Sequence, residues 1–324
     1  MFRKILPGLL LVMLLLPTRG QAEATLRLGL LAYGTAHWEL TALQALSLPG
    51  LADVDLTVRE LSTAEAGKIA LQSDAVDIIV SDWLWVAAQR AAGRNYAFYP
   101  YSKVSGGIVS QPEHPLSSIT DLTGLRIGVA GGELDKNWLL LSALYRKSTG
   151  QALEQQAQIV FAAPPLLSRQ LQARQLDVVL TYWHFAARLE AQGFQLWRQG
   201  DALLNAMNLE PELPFLGYVF RRDWAEANRP RLTAFLHGVA EAREQLCTND
   251  TRWQSIVPLT RSKDSVTQNL LRQRYCQGRV QAWESRLRSE ADNTFKVLQA
   301  LSGSRLTGKQ RELDPKTFWS LSAP

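Results

Sequence analysis

Four short segments of the 324-residue chain carry side chains able to grip or act on a small molecule. They are Tyr33-Gly34-Thr35-Ala36-His37-Trp38, Ser81-Asp82-Trp83-Leu84-Trp85, Gly131-Gly132-Glu133-Leu134-Asp135-Lys136 and Thr181-Tyr182-Trp183-His184. Each joins flat aromatic surface to a few hydroxyl, carboxylate or backbone groups. That mixture suits an organic ligand with a flat or alkyl portion, or a cation. Trp38, Trp83, Tyr182 and Trp183 would supply stacking, while Thr35, Ser81 and Asp82 would fix orientation.

Several of these residues have a second reading. Asp82 is equally suited to cap the helix that follows it. Gly131-Gly132 either presents backbone N–H groups to an anion or only makes a tight turn. Glu133 and Asp135 beside it oppose a strongly anionic ligand. Trp85 and Trp138 read as packing residues, and Lys103 and Lys136 as solvated charges. His37 and His184 stand alone, without the further ligands a metal site needs, so no metal or cofactor is expected.

Catalytic patterns are missing. The chain has no H-E-x-x-H, no G-x-S-x-G and no G-x-G-x-x-G after a strand. Gly303 to Lys309 imitates a phosphate loop, but Gln310 replaces the required Ser or Thr and no strand precedes it. The expectation is a binding protein, not an enzyme.

The elements that must position these segments follow from periodicity. Leu26–Tyr33, Val54–Leu61 and Asp77–Ser81 read as strands alternating with helices, the second helix opened by a capping box at Ser62-Thr63-Ala64-Glu65. A second unit repeats the plan, with strands at Ile108–Ser110, Arg126–Ala130, Ile159–Phe161 and Asp177–Thr181. Tyr218–Arg221 is one more strand, and the remainder reads as helical. The two units echo each other: Ala70 to Val80 parallels Gln170 to Leu180, each a helix end, a turn, an Asp and an apolar strand. Alternating β and α with short connections predicts a parallel sheet covered by helices. Ligands bind such sheets beyond the carboxyl ends of the strands, where all four segments fall. The fold class is therefore α/β, with two lobes around a cleft and a helical C-terminal region.

Composition narrows the setting. Charged residues make up 20% and hydrophobic residues 46%, as in ordinary globular proteins, and the formal charge of +5 forms no basic stripe. Nucleic acid is not an expected partner. Residues 1–24 have the plan of a secretory signal peptide: cationic Arg3-Lys4, an apolar run from Ile5 to Leu16, and small residues at Ala22 and Ala24. A run of that length is too short to cross a bilayer. An exported chain meets an oxidising compartment, so Cys247 and Cys276, the two cysteines of the chain, are expected to form a disulfide. The other reading is two separate buried thiols.

Two stretches resemble a known family. Pro100-Tyr101-Ser102 leads through Ser105-Gly106-Gly107 to Ser118-Ile119-Thr120-Asp121-Leu122-Thr123-Gly124-Leu125-Arg126-Ile127-Gly128-Val129, and Phe220-Arg221-Arg222-Asp223-Trp224-Ala225-Glu226-Ala227-Asn228 precedes Leu232-Thr233-Ala234-Phe235-Leu236. Both resemble the nitrate/taurine-type substrate-binding proteins of ABC transporters. The resemblance implies a type II periplasmic binding protein fold: lobe I from 25–107 and 212–324, lobe II from 108–211, and hinge closure on a small organic molecule. It implies a periplasmic monomer that delivers its ligand to an inner-membrane ABC permease. Carried over by position, the ligand groups would be Gly34, Thr35, His37, Trp38, Ser81, Asp82, Ser105, Gly106, Gly131, Gly132, Tyr182 and Trp183. The chain departs from the family at Asp74 and Gln175, where glycine is usual, and at Glu133 and Asp135, where sulfonate binders carry a Ser/Thr-rich anion loop. The alternative function is an accessory or sensor of a periplasmic enzyme on the same fold.

Overall fold

The structure, a computed structural model, describes residues 25–46, 55–103, 106–280, 283 and 285–321. The signal-peptide segment and Ser105 lie outside them.

The first half runs β1 (Leu26–Leu31), α1 (Ala36–Gln44), β2 (Leu56–Leu61), α2 (Ala64–Gln72), β3 (Ile78–Asp82), α3 (Trp83–Ala91) and β4 (Tyr96–Ser102). Next come β5 (Gly107–Ser110), β6 (Arg126–Val129), α4 (Lys136–Thr149), α5 (Leu153–Gln156), β7 (Gln158–Phe161), α6 (Pro164–Gln172), β8 (Val178–Thr181), α7 (Trp183–Ala191) and β9 (Gln195–Gln199). The chain ends with α8 (Gly200–Ala206), β10 (Leu216–Arg221), α9 (Arg222–Ala227), α10 (Arg229–Thr248), α11 (Asp250–Ile256), α12 (Ser265–Gln277), α13 (Ser285–Ser302) and α14 (Ser304–Thr307).

These strands make two five-stranded sheets of the same design, β2-β1-β3-β10-β4 and β7-β6-β8-β5-β9. In each, the first three strands are parallel and the fourth is antiparallel to both neighbours. That antiparallel strand is the one arriving from the other unit, β10 from the second and β5 from the first. The two crossings, β4 to β5 and β9 to β10, therefore lie side by side.

The internal echo in the sequence has a physical basis. In the first unit the Arg27 guanidinium grips the Asp77 carboxylate at 2.6 and 3.0 Å and donates to the Asp74 carbonyl at 2.8 Å. In the second, Arg126 grips Asp177 at 2.7 and 3.0 Å and donates to the Arg174 carbonyl at 2.8 Å. Asp74 and Arg174 both adopt left-handed backbone, at φ +60° and +59°. This is the conformation that favours glycine. The second missing glycine of the family pattern thus corresponds to Arg174, not to Gln175.

Two strands were not expected. β4 (YAFYPYS) has no polar alternation and contains Pro100, and β9 (QLWRQ) is short and polar; pairing with β10 and with β5 makes them strands. The N-cap of α2 is Thr63, one residue past the expected Ser62. Its hydroxyl accepts from Ala66 N at 3.1 Å, while Glu65 pairs with Lys68 rather than closing a capping box.

The C-terminal helices do more than return to the first unit. α10 lies on α1, but α12 packs against α7 and α13 against α4, so the second unit is held on both flanks. Cys247 and Cys276 form a disulfide that ties α10 to α12. Among the described residues no helix is long and apolar enough to cross a membrane.

Candidate ligand cleft

The carboxyl ends of β1, β3, β6 and β8 lead into the four segments that carry the candidate residues. After β1 the chain turns at once, Gly34 N bonding to Leu31 O at 2.8 Å, and Thr35 occupies the cap position of α1. His37 sets its Nε2 against Leu31 O at 3.1 Å. Trp38 is buried and meets Trp183 at 6.1 Å, Trp253 at 5.7 Å and Tyr275 at 5.6 Å between ring centroids. Trp183 opens α7 in the other unit, so the aromatic cluster joins the two. Tyr33 and Phe185 add a second edge-to-face contact between the units, at 5.9 Å.

A buried ion pair fixes α1 from behind. Glu39 accepts from Arg243 Nε at 2.6 Å, from Tyr275 Oη at 2.7 Å and from Tyr218 Oη at 3.1 Å. Arg243 also donates to the Tyr101 carbonyl at the end of β4. Burial pushes the Glu39 carboxyl up, against the pull of the Arg243 charge and these hydrogen bonds. The network ties α1 to α10, α12, β10 and the end of β4.

At the end of β3, Ser81 is buried and Asp82 does two things. One carboxylate oxygen caps α3 by accepting from Trp85 N at 2.9 Å, and the other receives Lys136 Nζ at 3.2 Å from the second unit. Burial alone would raise the Asp82 carboxyl, but the charges of Lys136 and Lys68 and the Trp85 N–H bring it below its ordinary value. Lys136 is thus not the solvated charge expected from sequence: its side chain is only 16% exposed.

After β6, Gly131 and Gly132 both turn through positive φ, +90° and +83°. A Cβ on Gly131 would lie 2.9 Å from Asp135 Oδ2, so the loop folds onto that carboxylate. Asp135 caps α4, accepting from Trp138 N at 3.1 Å. Burial raises the Asp135 carboxyl, the Lys136 charge opposes that, and the Asp82 charge adds to it. Tyr182, next to α7, has its phenol raised by burial and then by the charges of Asp135 and Asp82. Asp82, Asp135, Lys136, Tyr33 and Tyr182 thus form one electrostatic neighbourhood.

The other candidates are placed elsewhere or differently. Trp83 is fully buried, stacked on Phe215 at 5.6 Å and tilted against Phe318 at 6.1 Å, so its ring faces the protein core. Gly106 lies at the crossing, where a Cβ would meet the Thr181 carbonyl at 2.5 Å. His184 is buried with neither ring nitrogen hydrogen-bonded. Burial and the Arg188 charge push it down to about 3, and the Tyr33 backbone pulls weakly the other way without making a bond of normal geometry. Lys136 and Phe185 were missed as contacts because their partners are on the other unit, and no spacing in the sequence encodes that pairing.

Two open grooves flank this region. One, of about 630 Å³, lies along the crossings and is lined by Lys103, Gly106, Gly200, Glu212, Arg274 and Cys276. The other, of about 520 Å³, lies behind α1 and is lined by Tyr99, Tyr101, Tyr218, Arg243 and Trp283 among others. Several of their charges are paired within the protein, Lys103 with Glu212, Arg274 with Glu190 and Arg243 with Glu39. Among the described residues no group of three or more metal-ligating side chains gathers.

Two α/β units of one strand order, exchanging one strand each and facing across their strand ends, define the type II periplasmic binding protein fold, and this chain has it. Among solved structures it is similar to the alkanesulfonate-binding protein SsuA of Xanthomonas axonopodis pv. citri bound to MOPS, at 17% identity and a TM-score of 0.71 over 91% of this chain and 98% of that one. It is similar to the periplasmic aliphatic sulphonate-binding protein SsuA of Escherichia coli, at 17% identity and 0.67 over 90% and 97%. A ligand-binding component of an ABC-type import system from Staphylococcus aureus, solved with zinc bound, matches at 14% and 0.63 over 86% and 91%. These likenesses are of fold, and they agree with the resemblance read from the sequence. No protein-family model matches the chain, and no curated protein matches its sequence.

Proposed function

We propose that this chain is an exported solute-binding protein that captures a small organic molecule between its two α/β units by hinge closure and delivers it to an ABC importer. The observation that carries the reading is the convergence of all four strand-end segments, two from each sheet, on one interface beside a double crossing. The side-by-side crossings supply the hinge. Thr35, His37, Ser81, Gly131, Gly132 and Tyr182 are the groups that would orient the ligand, with Trp38 and Trp183 as aromatic walls. The protein itself performs no covalent step, in keeping with solved neighbours that are binding proteins.

The test is a solute screen on the mature chain, read by thermal shift and tryptophan fluorescence. Closure should alter the emission of Trp38 and Trp183; a broad screen in which no solute moves either signal counts against capture. Deletion of the gene should abolish uptake of the solute that scores.

The second reading, an accessory or sensor for a periplasmic enzyme, is favoured by one observation. The facing side chains already satisfy one another, Asp82 with Lys136 and Trp38 with Trp183. Co-purification of a periplasmic enzyme together with unimpaired uptake in the deletion strain would select it.

A further inference from the structure

Lys136 stands where a helix least wants a cation. It is the first residue of α4, at the positive end of the helix dipole, where acidic groups are favoured. Its side chain is also largely withdrawn from solvent, at 16% exposure, where a lysine is costly unless paired. Neither the helix nor the solvent explains it. Its ammonium instead lies 3.2 Å from Asp82 Oδ2, on a strand of the other sheet, with Asp135 adjacent in its own unit. Three charges therefore bear on one another at the interface: Asp82 from the first unit, and Lys136 and Asp135, neighbours in the chain, from the second. Both carboxylates are also fixed in place as helix caps, so neither can turn away. Without the ammonium, closing the units would bring two largely desolvated carboxylates toward each other with only the Lys68 charge acting on Asp82 to offset them. Lys68 also bears on Asp82, and the Tyr182 phenol is raised by the charges of Asp135 and Asp82.

We propose that Lys136 is the residue that permits closure, acting as a built-in counter-cation that lets the Asp82 and Asp135 faces meet with no ligand between them. The inference rests on the reading of the two units as closing about a hinge. It also makes the position chemically replaceable: a small alkylammonium ion can stand in for the side chain when that side chain is cut back.

The experiment compares wild type, Lys136→Met, Lys136→Ala, Asp82→Asn and the double variant Asp82→Asn/Lys136→Met by size-exclusion-coupled small-angle X-ray scattering at neutral pH, with far-UV circular dichroism confirming the fold. Asn keeps the cap on α3 while removing the charge. The expected result is a larger radius of gyration for Lys136→Met and Lys136→Ala than for wild type. The double variant should return to the wild-type value, because only one carboxylate then remains at the interface. n-Propylammonium, which replaces the atoms lost in Lys136→Ala, should contract that variant, and neutral n-propanol should not. A Lys136→Met protein as compact as wild type overturns the proposal, as does a double variant as expanded as the single, or equal action of the amine and the alcohol. A wild type whose melting temperature and tryptophan emission no solute moves, while the variants still differ in radius of gyration, would instead remove the ligand-capture reading and leave this one standing, so the two failures are distinguishable.

Discussion

Trp38 and Trp183 meet edge to face, with ring centroids 6.1 Å apart and planes at 89°, and they belong to different sheets. Neither ring has appreciable exposure, at 2% and 8%. The contact is thus both a piece of core and a reporter of how the two units sit. Trp183→Ala should lower stability by about 3 kcal/mol, at the bottom of the range for a truncated buried tryptophan because the site borders a cleft. The near-UV circular dichroism should weaken while the far-UV spectrum holds. A fully retained near-UV signal would mean that the pair is not coupled in solution.

The Glu39–Arg243 pair is buried on both sides and supported by two tyrosines. Removing one charge strands the other, so Glu39→Gln and Arg243→Met should each cost about 3–5 kcal/mol in urea unfolding. The double variant should cost less than the sum, because the second substitution removes the charge the first left unpaired. Additive costs would show that the two groups act independently.

Arg174 is a non-glycine residue at φ +59° whose side chain is exposed. Arg174→Gly should raise stability by about 0.5–1 kcal/mol by relieving the left-handed strain, net of glycine's extra chain entropy. Arg174→Val, with a branched Cβ, should lower it. Thermal midpoints of the three proteins decide the matter.

Cys247 and Cys276 close a loop of 29 residues' separation between α10 and α12. Loss of the bond should destabilise by about 3–4 kcal/mol in the chain-entropy model. The check is a urea titration with and without a reductant, with Cys247→Ala/Cys276→Ala as the chemical control. An unchanged midpoint in the double-alanine chain would show that the helices hold without the bond.

His184 gives the protein an acid-sensitive point. Its folded-state value lies near 3 because burial and the Arg188 charge disfavour the imidazolium, against an ordinary value of 6.5. The folded state therefore keeps the neutral ring while the unfolded chain takes up a proton below 6.5. The contribution is fully present above that pH and declines as pH falls toward 3. One pH unit below 6.5 the loss is about 1.4 kcal/mol. Glu39, raised by burial, works in the opposite direction, so the comparison of interest is wild type against His184→Gln. The difference in unfolding free energy between them should vary with pH from 7.5 to 5; a constant difference would mean that the ring is not kept neutral.

Much of the fold was legible from residue patterns alone. The period-2 and period-3.6 runs fixed most strands and helices, because apolar spacing is dictated by which face each element buries. The echo of Asp77 and Asp177 marked two units of one plan, and in each unit that aspartate meets an arginine on the neighbouring strand, 50 and 51 residues earlier in the chain. Strand-end loops were identifiable as the place for a cleft. Partnership across that cleft depended on the folded packing. Asp82 was legible as a cap, but its ion pair with Lys136 depends on two sheets meeting at strand ends 54 residues apart in the chain. Trp83 and Trp183 occupy equivalent places in their units, yet Trp83 stacks on Phe215 in the core and Trp183 faces Trp38 across the interface. Local pattern specifies which residues a helix or strand can present. Which surface each then meets is set by the packing of the whole chain, and no spacing along the sequence encodes it.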